Sequence, residues 1–349
     1  MNLNMQERII NKRLTQHHLD IALKEHERIV ELYKREYSRD EKRDWRTYEQ
    51  RLARRIKLAA QELKPVIKEA YSMIKVSRNG RGAHPKTTVT DKVLMLLLKD
   101  IFKLSNRKMA NMIAMFSVLS GIDVSYKTIE RAYSDEFAVM TIHNAFMILV
   151  GRKGIKDADT SGDGTGYSMT VTRHYRNVRE KELKRNNEKN EAEPKAKTGM
   201  KCYSHAFALM DLDTGMYIGY GTSTHSEHDA YAKAVMMTKS MGVKIKSIRL
   251  DKLYSYQSIT DDFSNDTTIY LIPKSNATIK GSPAWRRIVK SFVENPFGHL
   301  SEYYLRNNSE SGFSVDKRMC GWKVWQKLDD RVCTAMMCKG LWHNLMLID

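Results

Sequence analysis

Three acidic residues stand in settings that suit phosphoryl transfer. Asp163 opens the run Asp163-Gly164-Thr165-Gly166-Tyr167-Ser168, Asp251 closes Ile248-Arg249-Leu250-Asp251, and Glu310 follows Tyr303 and Arg306 and precedes Lys317. On an unbroken helix, each residue turning 100°, Tyr303, Arg306 and Lys317 fall within about 40° of Glu310, so all four share one face. Carboxylates are the oxygen donors that Mg²⁺ prefers. Two such ions can activate an attacking water or 3′-hydroxyl and stabilise the leaving oxygen of an in-line displacement. Arg and Lys beside them bind phosphates, and Tyr donates to a phosphate oxygen or stacks on a base. In water the same spacing also fits a surface ion-pair ladder.

The chain around these residues is strongly basic, with a net charge of +18 over 349 residues. Such an excess favours a polyanionic partner, and nucleic acid gains most through counterion release. An anionic membrane is the competitor, but no uninterrupted apolar run reaches transmembrane length. Met1 to Glu7 lack the apolar core of a secretory signal, so export is not expected. Hydrophobic residues at 42% and charged residues at 29% specify a soluble globular protein. Cys202, Cys320, Cys333 and Cys338 form no C-x-x-C pair and read as reduced thiols.

The elements that must position the acids follow from periodicity. Residues 4 to about 76 read as two long helices, with Pro65 kinking or interrupting the second. Arg51, Arg54, Arg55 and Lys57 on that helix fit either a phosphate stripe or a solvated face. A Gly- and Pro-bearing linker at 77–89 follows. The segment 90–150 opens with three short helices. Ser105 caps the second, Gly121 to Val124 make a turn, and Ser125 caps the third, the outline of a helix-turn-helix. In that outline Ser125, Tyr126, Lys127, Thr128 and Arg131 face a DNA groove. A packed helical hairpin without DNA fits the same pattern.

From 151 to 349 the pattern becomes mixed α/β. Tyr203–Met210 and Met216–Gly221 read as strands joined by the Asp211–Gly215 turn, Asp229–Met241 as a helix, and Lys244–Leu250 and Thr267–Ile272 as strands. Residues 173–201, dense in Lys, Arg, Glu and Asn, read as a mobile basic loop, and 255–300 as an insertion between the second Asp and the Glu.

Y-x2-R-x3-E-x6-K, here Tyr303, Arg306, Glu310 and Lys317, resembles the signature of insertion-sequence DDE transposases of the YREK type. Asp163-Gly164-Thr165-Gly166 is similar to that family's D-x-T-G, and Asp251 matches its second Asp in position, although Lys252-Leu253-Tyr254-Ser255 after it is bulkier than usual. The resemblance covers roughly residues 90 to 349. It implies a ribonuclease-H-like mixed sheet flanked by helices, with the all-α region in front of it. It also implies that Asp163, Asp251 and Glu310 hold two divalent ions, Mg²⁺ or Mn²⁺. Such an enzyme cleaves strands at element ends and transfers them into target DNA. Its expected partners are double-stranded terminal repeats and target DNA, with a homodimer in the DNA complex. Its expected place is the cytoplasm of a prokaryotic cell, at the nucleoid.

Rival readings remain at this level. The approach to Asp163, Lys156 to Gly162, is polar where a core strand should be apolar, so Asp159 competes as first ligand. Thr224 to Asp229 has His at 225 and 228 like a metal motif, yet Asp229 can simply cap a helix. Trp285, Trp322, Trp325 and Trp342 read as core or interface rather than base-stacking residues. A two-metal nuclease without strand transfer and an inactive DNA-binding relative are the alternative functions.

Overall fold

The computed structural model describes residues 14–37, 44–75, 87–120, 124–169 and 203–348. The 77–86 part of the linker and the basic loop 173–201 lie outside them. The order of elements is α1 (Gln16–Tyr37), α2 (Trp45–Ser72), α3 (Val89–Ile101), α4 (Asn106–Ser120), α5 (Tyr126–Ala132), α6 (Glu136–Arg152), β1 (Asp157–Met169), β2 (Tyr203–Asp211) and β3 (Tyr217–Ser223). Then come α7 (Glu227–Ser240), β4 (Lys244–Arg249), β5 (Thr268–Tyr270), α8 (Pro283–Glu294), α9 (Pro296–Tyr304), α10 (Asn307–Cys320), β6 (Lys323–Val324) and α11 (Asp329–Leu345).

The sheet runs β3-β2-β1-β4-β5. The first three strands are antiparallel, while β4 and β5 run parallel to β1. This mixed α/β sheet behind an all-helical region is the expected class and is compatible with a ribonuclease-H-like core. Its interior is made by the hairpin β2–β3, whose residues are almost wholly buried, between α7 on one face and α10 and α11 on the other. Close approach of α7 depends on Gly221, where a Cβ would lie 1.8 Å from the Ala230 carbonyl oxygen. The helical region is continuous with this core. α2 and α3 pack on α6, and α11 packs on α6 and α3. Tyr33 of α1 stacks on Tyr304 of α9 at 5.0 Å.

Two sequence expectations change here. Pro65 does not interrupt α2, which is continuous from Trp45 to Ser72 and buries Val66 and Ile67 beside it. The polar run before Asp163 is nevertheless the central strand. Its hydroxyls find partners on other elements: Thr160 Oγ1 donates to the Ser247 carbonyl at 2.9 Å, and Ser161 Oγ meets Ser309 Oγ at 2.6 Å. Gly162 supplies room for Leu250, Phe207 and Leu209. The strand is therefore apolar through its neighbours and satisfied through its own polar groups.

The layer carrying α9 depends on a neutral histidine. His299 is buried, its Nδ1 beside Ser291 Oγ at 3.0 Å and its Nε2 beside the Leu271 carbonyl at 2.9 Å. Burial pulls its pKa down from 6.5 to about 4. The unfolded chain then binds this proton before the folded one does. The contribution is intact above pH 6.5 and is lost as pH falls toward 4, by about 3 kcal/mol in all. Denaturant midpoints measured between pH 7 and 4.5 should fall steeply for the wild type and less steeply for His299→Gln.

Candidate active site

The site forms where the sheet opens. β4 pairs with β1 only as far as Ser161↔Arg249, and β6 pairs with it only from Ser168↔Lys323. Among the described residues, no strand pairs with 162–167 on that side. Asp163 lies in this gap. Asp251 follows the end of β4 by two residues, just past the last paired position, Ser161↔Arg249, and its charge acts on Asp163. Side chains alternate along a strand, so Asp163 shares the face of Ser161 on β1, while Asp251 caps the turn 252–254 by accepting from the Lys252 N–H.

The segment bearing Tyr303, Arg306, Glu310 and Lys317 is not the single helix that its spacing predicts. α9 ends at Tyr304 and α10 begins at Asn307. Between them the Leu305 and Arg306 N–H groups donate to the carbonyls three residues back, Glu302 and Tyr303, each at 3.1 Å. That tightens the chain into a 3₁₀-like corner. Leu305 and Arg306 keep right-handed helical angles, so the shared face survives the break. Tyr303 is buried under the Arg306 guanidinium, 5.7 Å from ring centroid to Cζ.

Arg306 is the hub. Its Nη1 donates to Asp163 Oδ1 at 3.1 Å and its Nη2 pairs with Glu310 Oε1 at 2.8 Å. Asp163 is pushed up to about 6, chiefly by burial, with the charges of Glu310 and Asp251 adding and Arg306 opposing. Glu310 and Asp251 therefore both act on Asp163. The three acids do not close into a cage for a single ion: no group of three His, Cys, Asp or Glu suited to one ion occurs among the described residues. The Arg306 guanidinium sits between two of the carboxylates and supplies the neutralising charge. An all-carboxylate donor set with an excess of negative charge fits hard divalent cations.

Lys317 Nζ donates to Thr165 Oγ1 at 2.5 Å and lies 4.9 Å over the Trp322 ring. Asp163, Thr165, Glu310, Lys317 and Trp322 line a cleft of about 200 Å³. Thr165 and Trp322 were not legible as site residues. Gly321, at φ 81°, turns the chain out of α10 and sets Trp322 at this mouth. Trp285 and Trp342 are core residues as expected, their indole N–H groups donating to the Thr278 and Leu97 carbonyls. Trp322 and Trp325 are exposed, which corrects the core reading for them.

The rival acid has other work. Asp159 accepts from Ser247 Oγ and lies 4.0 Å from Arg249 Nη1. Arg249 is buried and pairs also with Glu302, next to Tyr303, so this network ties β1 and β4 to α9. The His225–Asp229 run gathers no metal group among the described residues. Ser226, not Asp229, caps α7. Glu227 accepts from the Tyr254 hydroxyl at 3.0 Å, and His228 packs on the rings of Tyr254 and Tyr256. Cys320 and Cys338 are buried free thiols, and Cys333 is half-buried.

Tyr126, Lys127, Thr128 and Arg131, which the sequence suggests for a DNA groove, lie on α5, although 121–123 of the preceding turn fall outside the described residues. Ser125 caps α5 by accepting from the Thr128 N–H at 3.3 Å. Tyr126 has Arg107 and Lys127 over its ring, and Lys127 pairs with Glu130. Lys127 and Arg131 are exposed, and Thr128 is half-buried.

No protein-family model matches the chain. It is 41% identical over 293 residues to a probable transposase for the insertion sequence element ISA1214 from Archaeoglobus fulgidus, covering 84% of this chain and 85% of that one. The chain belongs to this family of insertion-sequence transposases. In this transposase-family chain the shared length spans most of the molecule. Among the described residues, no helix is long and apolar enough to cross a membrane.

Proposed function

We propose that the chain is a DDE transposase that cleaves DNA strands at the ends of its element and joins them to target DNA. The observation that carries this reading is Arg306 bridging Asp163 and Glu310, with the charge of Asp251 acting on Asp163. The relative named above supports transposition in general, and the Tyr303-Arg306-Glu310-Lys317 spacing supports the finer assignment.

Asp163, Asp251 and Glu310 would hold two Mg²⁺ or Mn²⁺ ions. When bound, these supply charge stabilisation to the attacking and leaving oxygens of an in-line displacement. Arg306 would then exchange its carboxylate partners for a phosphate, since its fork matches both. Tyr303 holds that guanidinium from below. Lys317, anchored on Thr165, places a second positive charge on the cleft wall. Ser125, Tyr126, Lys127, Thr128 and Arg131 are proposed to contact the terminal repeat as duplex. Joining two ends calls for a homodimer on DNA, and the working compartment is the prokaryotic cytoplasm.

A nuclease using the same acids would cut and stop, and an inactive relative would bind and not cut. Incubating the protein with Mg²⁺ and a duplex carrying the repeats that flank its gene separates the three. Cleaved and joined products are expected. Cleaved products alone would leave the nuclease, and intact DNA the inactive relative.

A further inference from the structure

Beside the cleft the surface carries two indoles that the reaction as described does not use. Trp322 is 60% exposed and Trp325 is 40% exposed. Their significance lies in where they stand, beside the cleft and its cations, rather than in exposure alone. Trp322 stands at the mouth of the cleft that holds Asp163 and Glu310, with the Lys317 ammonium 4.9 Å over its ring. Trp325 lines a second cleft, of about 350 Å³, between α4, α5 and the start of α11. That cleft holds Arg107, Lys127, Lys327 and Arg331 against a single acid, Glu130.

The segment 322–325 joins the two clefts, with β6 in its middle fixed to the end of β1. Three extended residues span at most roughly 11 Å, about the length of three nucleotides of one strand. An aromatic face with cations beside it is the chemistry that binds unpaired nucleic acid, because every base has a π-face to stack. Bases within a duplex already stack on one another and offer no free face, so a double helix cannot use these rings in this way. Lys127 and Arg331 pair with Glu130, and the remaining cations of the second cleft, Arg107 and Lys327, suit the phosphates that come with those bases.

We infer that Trp322 and Trp325 form a stacking track for a few unpaired nucleotides of the DNA strand at the reaction site, with Arg107 and Lys327 taking its phosphates. The inference rests on the DNA-processing reading above and goes further in naming an unpaired strand. It assigns Trp322 to the base next to the reacting phosphate and Trp325 to a base further along.

The test uses the full chain with a fluorescein-labelled oligo(dT) of roughly ten nucleotides and, separately, a duplex of the same length. Wild type binds the single strand, and its tryptophan emission is quenched. Trp322→Ala and Trp325→Ala each weaken single-strand binding about tenfold, in line with the stacking contribution of one base. Trp322→Phe, which keeps a flat ring, retains most of the affinity. A melting scan checks folding. If the alanine variants melt early, Trp322→Phe is compared with Trp322→Leu, which is apolar but not flat, and the Phe variant must bind more tightly. Alanine variants that bind as tightly as wild type, or a Phe variant as weak as Ala or Leu, overturn the track. Binding of duplex but not single strand by the wild type overturns the track alone. Binding of neither overturns the DNA reading with it.

Discussion

Asp163→Asn, Asp251→Asn and Glu310→Gln each lower strand cleavage of an element-end duplex by on the order of 10³-fold or more. Each change keeps the shape of the side chain and removes one anionic oxygen donor. If the acids together hold the cations, as proposed, the site loses its function with any one of them. The double variant Asp163→Asn/Glu310→Gln is then expected to fall little below the weaker single one, because groups acting as a unit are not additive. Single-turnover cleavage rates measure this directly, and thermal melting of the same preparations separates lost chemistry from lost fold. Asp159→Asn is the informative comparison. Asp159 is engaged with Ser247 and Arg249 rather than with Arg306, so cleavage should drop far less.

Arg306→Ala is expected to cost about 10²-fold in cleavage, the scale for removing one strong donor aimed at developing charge. Arg306→Lys should recover little of it. The two Nη atoms reach two different carboxylates, 3.1 Å and 2.8 Å away, and a single ammonium cannot reproduce that fork. Removing Arg306 also leaves Asp163 and Glu310 facing each other without the positive charge between them, so divalent cations should raise the melting temperature of Arg306→Ala more than that of the wild type. Cleavage rates with a melting series in Mg²⁺ check both parts. A lysine variant with wild-type rates would mean that Arg306 acts only as a point charge.

Much of this arrangement was legible because it rests on local rules. The β2–β3 hairpin shows in its apolar run and in the turn at Asp211–Gly215, where Asp211 Oδ2 accepts from the Thr214 N–H at 3.0 Å. The strand ending before Asp251 and the helix that precedes it were read within a few residues. The misread features depend on distant partners. β1 looks too polar for a central strand until Ser247 and Ser309 are placed beside it. The corner at Leu305–Arg306 carries no Gly or Pro, and so nothing in its composition marks the break between α9 and α10. The capping role of Ser226 was given to Asp229, which pairs instead with Lys233 at 2.9 Å. Trp322 gave no signal as a cleft residue, since its place depends on where Gly321 sends the chain and on Lys317 lying over its ring.

The three acids were singled out from type and spacing, but spacing could not say what surrounds them. Arg249, buried and paired with Glu302, is the clearest missed support. It joins the strand leading to Asp251 with the helix that carries Tyr303. No pattern announces such a link, because Arg249 and Glu302 are far apart in sequence and each alone reads as a surface charge.

We propose that Asp163, Asp251 and Glu310, from three separate elements, together hold two divalent cations on bound DNA. Electron paramagnetic resonance of free Mn²⁺ tests it most directly, by following loss of the free-ion signal as DNA-bound protein is added. Wild type is expected to take up Mn²⁺, and Asp251→Asn, the change furthest from the Arg306 bridge, to take up markedly less. Uptake by Asp251→Asn equal to wild type would show that this aspartate does not share the site, and the account would be wrong.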